Sequence, residues 1–562
     1  MLTDMNSSSI DSKNTPQMAK SSSSNHDKSL LASGLSLSFF TLLSRILGLL
    51  REMTKAAFLG TTGYADAFGI AFMIPNLFRR LFAENSISVA FIPTFRGYLE
   101  DCNTPEGKQR AKEFVSATLT LITFLTATVV LIGIIITPLI IPFFYSGSGD
   151  TPLGDTTMLV ETTLLTRIMF PYLFVISIAA FFQGVLNGVK IFSPSGFTPV
   201  LFNSIVIAAT YILAPHTANP ARAMAIGVIG GGCVQALFQL PFVIHSGWGC
   251  GFTSIKKAFK NPGTRRVIAL IGPTIIGMAA YQLNDVVSTA LAGRAGEGVV
   301  SSLQYSLRLQ ELILGIFAVS IGTVILPDLS GLAKEEKWES FNKMLTKAVM
   351  IIALIAIPIT FYSLITGKEI IQLVYKSRRF TDDSVRLTLT AFRWHIAGLY
   401  FIAMNRVVSP AFYAQGNTKS PTIAGIFGFI VNIILALTLV HPMAGGGIAL
   451  ALSLASLANT VFLFIFLKNT HVVNINHTIV SIIVYSLKMT VYSLIASVPA
   501  WFVNRAAVAA FGSHGRLLGN FIPLTLTLII FASIGIALLI ITKDPMITAL
   551  KSKVTRKFSK RK

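Results

Sequence analysis

Charge is what this 562-residue chain has least of: Asp, Glu, Lys and Arg together make up 12%, about half of the roughly 25% found in soluble domains. With 53% hydrophobic residues, a water-soluble fold would expose more apolar surface than its polar groups could offset. That excludes an ordinary soluble enzyme and a disordered scaffold alike. Acids are scarcer than bases, 24 against 46, which leaves a net charge of +22. Cysteine is nearly absent, and Cys102, Cys233 and Cys250 stand at no metal or redox spacing, so no disulfide framework is indicated. Residues 1–30 are rich in Ser, Asn, Lys and Asp and lack the apolar core of a signal peptide, so they read as a disordered cytoplasmic tail. The eight histidines are scattered, and P-loop, nucleophile elbow and zinc spacings are missing. Catalytic residues, a metal site and a cofactor are therefore not expected. A strongly basic chain can bind nucleic acid, but the C-terminal basic run lacks interleaved stacking aromatics, so anionic membrane lipid is the expected partner.

What the chain does have is a nearly unbroken series of apolar segments. A membrane helix needs about 20 apolar residues and, with its loop, occupies roughly 35–40, so the length allows about fourteen spans. They are predicted near 36–59, 66–95, 114–144, 158–188, 193–215, 222–245, 266–292, 299–330, 345–366, 387–414, 420–440, 446–467, 479–503 and 518–542. The first two are weak by hydropathy because they carry charge. The fold class is an all-α polytopic membrane protein. Alternate loops hold the basic residues: Arg96, Lys108, Arg110 and Lys112; then Lys256, Lys257, Lys260, Arg265 and Arg266; then Lys334, Lys337 and Lys343. The C-terminal tail adds more, from Lys543 to Lys562. By the positive-inside rule both termini are cytoplasmic. The loop with Lys368, Lys376, Arg378 and Arg379 is basic on the outer side and breaks the pattern.

Two internal echoes suggest a repeat. Ala90-Phe91-Ile92-Pro93 corresponds to Val324-Ile325-Leu326-Pro327, and Gly188, Lys190, Ser193-Pro194 and Asn203 correspond to Gly416, Lys419, Ser420-Pro421 and Asn432. Two six-helix lobes related by a parallel pseudo-repeat, with two helices appended, is a transporter architecture. The expected division is an N-lobe over 31–245, a C-lobe over 246–470, a helix pair over 471–542 and a basic cytoplasmic tail over 543–562.

Several ionisable residues lie inside the apolar segments. An Arg at mid-membrane costs roughly 2.5–3.5 kcal/mol on insertion scales, so Arg45, Arg51, Arg79, Arg80, Arg167, Arg308, Arg393 and Arg406 are expected to face a wet cavity, snorkel or lie near a helix end. The acids are fewer: Glu52, Asp66, Glu84, Asp285 and Glu311. Arg308 and Glu311 are spaced to pair, as are Arg80 and Glu84. Arg167 precedes Phe170-Pro171 and can instead satisfy carbonyls freed by that proline. Asp285 beside Asn284 is either a cation or proton site or the partner of a neighbouring Arg. The surplus guanidinium suits an anion, and the planar fork of Arg matches phosphate.

The stretch Ser44-Arg45-Ile46-Leu47-Gly48-Leu49-Leu50-Arg51-Glu52 resembles the start of the MurJ (MviN) family of lipid II flippases. So do Ala65-Asp66-Ala67-Phe68, the run from Ile74-Pro75-Asn76 to Ala83-Glu84, Ala90-Phe91-Ile92-Pro93, Gly322-Thr323-Val324-Ile325-Leu326-Pro327 and Pro410-Ala411-Phe412-Tyr413-Ala414. The resemblance implies a fourteen-helix member of the MOP superfamily, related to MATE exporters. By alternating access it would move undecaprenyl-diphosphate-linked peptidoglycan precursor from the inner to the outer leaflet of the bacterial cytoplasmic membrane. It implies substrate-binding roles for Ser44, Arg45, Arg51, Arg79, Ser301 and Arg308. It implies gating or charge pairing for Glu52, Asp66, Arg80 and Glu84, with Asp66 closing a gate by pairing with Arg. It also implies a polyprenyl-tail groove along the last two helices, and cell-wall synthesis proteins as partners. Some members hold sodium through an Asp in the seventh segment and an Asn and an Asp in the eleventh. Asn432 matches, Ser288 and Ala436 replace the acids, and Asp285 is the nearest substitute. Na+, H+ or the membrane potential remain as energy sources. The alternative is a MATE-like cation-coupled exporter of soluble drugs, which would favour an acidic cavity.

Overall fold

The computed structural model describes residues 18–84, 87–145, 156–249, 251–468, 470 and 475–546. Within its helices the side chains of 18–38, 82–84, 88–89, 273–281, 316–324 and 475–476 are not described. Every regular element among the described residues is helical.

The first half begins with α1 (Met18–Leu59) and α2 (Gly63–Phe78), which runs through two π-helical turns, Arg79–Glu84 and Ile87–Phe91, into α3 (Ile92–Glu100). Then come α4 (Pro105–Ile140), α5 (Pro142–Tyr145), α6 (Thr156–Met169), α7 (Pro171–Gly188), α8 (Ser193–Leu213) and α9 (Pro220–His245). A short α10 (Ile255–Lys260) leads into the second half: α11 (Pro262–Arg294), α12 (Val299–Lys334), α13 (Trp338–Tyr375), α14 (Asp382–Ala397), α15 (Leu399–Tyr413), α16 (Lys419–Met443) and α17 (Gly445–Lys468). The last two are α18 (Ile475–Phe511) and α19 (Gly515–Ile541), packed against each other and against α13. α1 starts at Met18, so residues 18–30, expected to be unstructured, are helical; no Pro or Gly interrupts that polar stretch. The basic run over 547–562 and the first 17 residues lie outside the described residues.

Local chemistry sets the boundaries. α4, α9 and α11 each start with a capping residue followed by proline at the first helical position. Thr104 Oγ1 accepts from Gly107 N at 3.0 Å, Asn219 Oδ1 from Arg222 N at 3.2 Å and Asn261 Oδ1 from Gly263 N at 2.9 Å. Gly398 separates α14 from α15, which are bent by 42°. Side chains such as Leu131, Ile135 and Leu139, one turn apart on α4, are exposed and form an outward apolar stripe suited to lipid. Among the described residues nine helices are long and apolar enough to cross a membrane, and ten if α14–α15 is one span. α1, α2 with its π-helical continuation, α11 and α12 are further long helical segments.

The second echo falls at matching places. Gly188 and Gly416 stand at the turns before α8 and α16. Asn203 on α8 donates to the Ser44 carbonyl on α1 at 3.4 Å, and Asn432 on α16 donates to Asn284 on α11 at 2.6 Å. Each half therefore ties its fifth pass to its first through the same residue type. Close packing explains one glycine run: a Cβ on Gly231 of α9 would press on the Phe202 ring of α8 at 2.8 Å, and one on Gly232 would press on Tyr172 of α7 at 2.8 Å.

Candidate functional site

Between the halves lies a cavity of about 400 Å³. Its ionisable wall is Arg51, Glu52 and Lys55 from α1, Arg80 from the first π-helical turn, Asp285 from α11, Arg308 and Glu311 from α12, and His395 from α14. Apart from His395, all come from α1, the π-helical continuation of α2, α11 and α12. Such side chains are expensive in lipid, so the elements that carry them must shelter them against one another.

The three arginines on the wall each stand beside a carboxylate. Arg51 Nη2 meets Glu52 Oε1 at 2.8 Å, Arg80 Nη1 meets Asp285 Oδ2 at 3.3 Å, and Arg308 Nη1 meets Glu311 Oε2 at 3.4 Å. The expected Arg308–Glu311 pair is present. Asp285 partners Arg80 from the other half, the second of the two roles its position allowed. The side chain of Glu84 lies outside the described residues, so its pairing with Arg80 is not addressed.

The fourth cation on the wall is Lys55, which the sequence reading passed over. Its ammonium donates to Gln304 Oε1 of α12 at 2.7 Å and sits 5.0 Å from the Tyr305 ring centroid and 5.7 Å from that of Phe68. Among the described residues no carboxylate stands within ion-pair distance of it. Among the described residues, four cations and three carboxylates leave the wall with one surplus positive charge, and Lys55 is the cation with no described acid at ion-pair distance. One signal could have found it: Lys55 lies one helical turn beyond Arg51, inside the same apolar segment.

The other expected residues are placed as follows. Arg45 and Arg79 do not line the cavity. Arg79 Nε donates to Asn76 Oδ1 at 2.8 Å, and Asn76 is on the wall. Arg45 reaches across to α12, where its guanidinium fills the space a side chain at Gly315 would need. Reciprocally, Arg308 of α12 fills the space over Gly48 of α1. The two helices thus exchange arginines across two glycines. Ser44 offers its carbonyl to Asn203 and is off the wall. Ser301 is fully buried, and its hydroxyl donates to the Gly298 carbonyl at 3.2 Å, so it does not reach the cavity. Arg167 donates to the Ile134 carbonyl at 3.2 Å. That carbonyl is four residues before Pro138 of α4, whose missing N–H leaves it free. The proline it compensates is Pro138, not Pro171.

One end of the cavity is shut by contacts between the halves around the α1–α2 and α11–α12 turns. Asp66 of α2 accepts from Gly298 N at 2.6 Å and Ser301 N at 2.7 Å, which caps the N-terminus of α12 with a carboxylate, the charge that helix end favours. Asp66 therefore ties the halves through backbone N–H groups rather than through an arginine. Gly63 N donates to Glu297 Oε1 at 2.6 Å, Tyr305 OH donates to the Gly60 carbonyl at 2.9 Å, and Thr61 Oγ1 bonds Ser384 Oγ at 2.7 Å. Gly60 has φ +60°, and a Cβ there would collide with the Arg379 carbonyl. The basic loop that broke the charge pattern is thus packed onto this closed end. There Lys376 pairs with Asp382 at 2.6 Å, and at the start of α14 Arg386 pairs with Asp383 at 3.2 Å.

The residues matching the family's sodium site do not fit that ion. Asn432 Nδ2 donates to Asn284 Oδ1 at 2.6 Å and Ser288 Oγ at 3.3 Å, so amide hydrogens point at the oxygens a cation would use. Asn432 Oδ1 is buried without a partner, but Ala436 offers no ligand atom and the set holds no carboxylate.

Comparison with known proteins bears on this geometry. The family described as "Lipid II flippase MurJ" matches residues 55–519. A "Probable lipid II flippase MurJ" of Treponema pallidum (strain Nichols) is 48% identical over 521 residues, 92% of this chain and 96% of that protein. A solved structure of lipid II flippase MurJ in an inward closed conformation superposes with a TM-score of 0.72 at 25% identity, over 91% of this chain and 99% of that one. An inward-facing multidrug resistance MATE family transporter of the MOP superfamily gives 0.60 at 15% identity, over 81% and 98%, a likeness of fold alone.

Proposed function

The chain belongs to the MurJ family of lipid II flippases, a family of multi-pass membrane transporters rather than catalysts, and from that membership we propose that it carries the undecaprenyl-diphosphate-linked peptidoglycan precursor from the inner to the outer leaflet of the bacterial cytoplasmic membrane. The observation that carries the reading is the charge of the cavity wall, where four cations face three carboxylates. A diphosphate supplies the missing negative charge. Two of the three ion pairs are long and half-exposed, Arg80–Asp285 at 3.3 Å and Arg308–Glu311 at 3.4 Å. Pairs of that kind are worth about 0–1 kcal/mol, so an entering diphosphate can take the guanidiniums at little cost and bind them through charge-assisted, bidentate bonds.

In this reading fourteen helices span the membrane with both termini in the cytoplasm. The closed end at the α1–α2 and α11–α12 turns then faces outward, and the cavity loads from the inside. The two halves rock about the cavity while the polyprenyl tail stays in lipid beside α18 and α19, where exposed Leu487, Val491, Leu494 and Val498 of α18 suit a hydrocarbon chain. The membrane potential drives the cycle, since the donor set at Asn432 does not suit sodium. A cavity with surplus positive charge disfavours the cationic drugs of a MATE-like exporter. The test is Arg308→Ala and Arg51→Ala in the full chain, following outer-leaflet lipid II in proteoliposomes. Flipping is expected to fall at least tenfold at equal protein amount; undiminished flipping would overturn the cavity assignment.

A further inference from the structure

The cation without an acid is the one that ties the halves together inside the cavity. Lys55 is 4% exposed yet lines the cavity wall. Burying an ammonium without a carboxylate in ion-pair contact is costly, and Gln304, its hydrogen-bond partner at 2.7 Å, is neutral. The ring faces of Tyr305 and Phe68 attract the charge but accept no strong hydrogen bond. An ammonium has three donors; one goes to Gln304, which leaves capacity for an anion arriving from the cavity. Gln304 is held in place by Gly69 of α2, where a Cβ would stand 2.7 Å from its amide. The Lys55–Gln304 bond also joins α1 to α12 close to the Asp66 cap, because Gln304 lies one turn beyond Ser301.

We propose that Lys55 is the anion anchor of the cavity and exchanges Gln304 for a phosphoryl oxygen of the bound diphosphate, so that loading itself removes a tie between the halves. The proposal rests on the diphosphate reading above and adds to it a residue and a coupling step. Lys55 moves from a neutral acceptor on the opposite half to a charged acceptor on the cargo, and α12 is freed of one bond at the end that must open. No covalent bond changes.

The test uses the full chain in detergent, with geranylgeranyl diphosphate as probe and geranylgeraniol as its uncharged control. Spin labels at Ala218→Cys and His441→Cys report the separation of the two halves at the closed end, in a background with the native cysteines replaced. Lys55→Met is expected to weaken diphosphate binding at least tenfold, and Lys55→Arg to restore most of it. Gln304→Ala is expected to bind the diphosphate as tightly as the parent or a few-fold tighter, because a competing acceptor is gone, and to shift the label distances toward separation without ligand. A merely structural pair would instead lose binding in both Lys55→Met and Gln304→Ala, and that result overturns the proposal. So does Lys55→Met binding within twofold of the parent. If the parent itself fails to prefer the diphosphate over the alcohol, the reading of the cavity fails, which is a separate outcome.

Discussion

Replacing Asp66 by Asn tests how the closed end is held. In the structure both carboxylate oxygens are used, one on Gly298 N at 2.6 Å and one on Ser301 N at 2.7 Å, and the residue is 5% exposed. The substitution keeps the shape but removes the charge and turns one acceptor into a donor facing an N–H. A hydrogen bond to a charged group is worth about 1.5–3 kcal/mol, and a carboxylate at a helix N-terminus contributes about 0.3–1 kcal/mol more. The remaining ties, Gly63 to Glu297, Tyr305 to Gly60 and Thr61 to Ser384, stay intact, so the closed state weakens without the fold being lost. A net loss of about 2–3 kcal/mol lowers the closed-to-open ratio by roughly 30- to 150-fold. Double electron–electron resonance between labels at Ala218→Cys and His441→Cys should show the short-distance population of the parent giving way to a longer one in Asp66→Asn. Lipid II transport should fall while expression holds. An unchanged distance distribution would show that the cap does not hold the gate and that this reasoning is wrong.

Other substitutions separate shape from charge. Gly315→Val should displace the Arg45 guanidinium that occupies its space, lowering transport severalfold with little change in Tm. Arg167→Met leaves the Ile134 carbonyl without its donor and should lower Tm by the equivalent of about 1–2 kcal/mol with the cavity intact. Asp544 is fully buried and receives Lys488 at 2.7 Å, fixing the end of α19 to α18. Lys488→Met should destabilise by about 1–3 kcal/mol, less than a wholly buried pair because Lys488 is partly exposed, and Lys488→Met combined with Asp544→Asn should recover part of it; a double-mutant thermal-unfolding cycle measures both.

Much of the fold was readable because apolar spans repeat at lipid-sized intervals. The matching positions of Asn203 and Asn432 made the repeat visible as well. What sequence could not supply was partner choice across the halves. Spacing along a helix can suggest Arg80 with Glu84, whose side chain lies outside the described residues, but it cannot show that Asp285 reaches Arg80 from a helix some two hundred residues away. The same limit hid the role of Asp66: its partners are backbone N–H groups of α12, and backbone groups leave no mark in a residue pattern. Lys55 was missed for a related reason. Its significance lies in having no described carboxylate within ion-pair distance, which only the folded arrangement can reveal.

The charge balance of the cavity explains how one site can serve both directions of the proposed cycle. Four unpaired cations in a mid-membrane cavity would cost about 2.5–3.5 kcal/mol each, enough to stall the return of an empty carrier. The three carboxylates beside Arg51, Arg80 and Arg308 remove most of that cost, so in the proposed cycle the described wall of the empty protein carries a single surplus positive charge. A membrane that is negative inside draws that charge toward inward access, by about 2.3 kcal/mol per charge for each 100 mV. A bound diphosphate brings more than one negative charge and reverses the sign of the loaded cavity, so the same field then favours outward access. Had the wall carried its arginines without acids, the loaded and empty forms could both have stayed positive and the potential would have driven both one way. The acids beside the arginines therefore belong to the mechanism as much as the arginines do: they set the surplus at one charge, small enough for the cargo to invert.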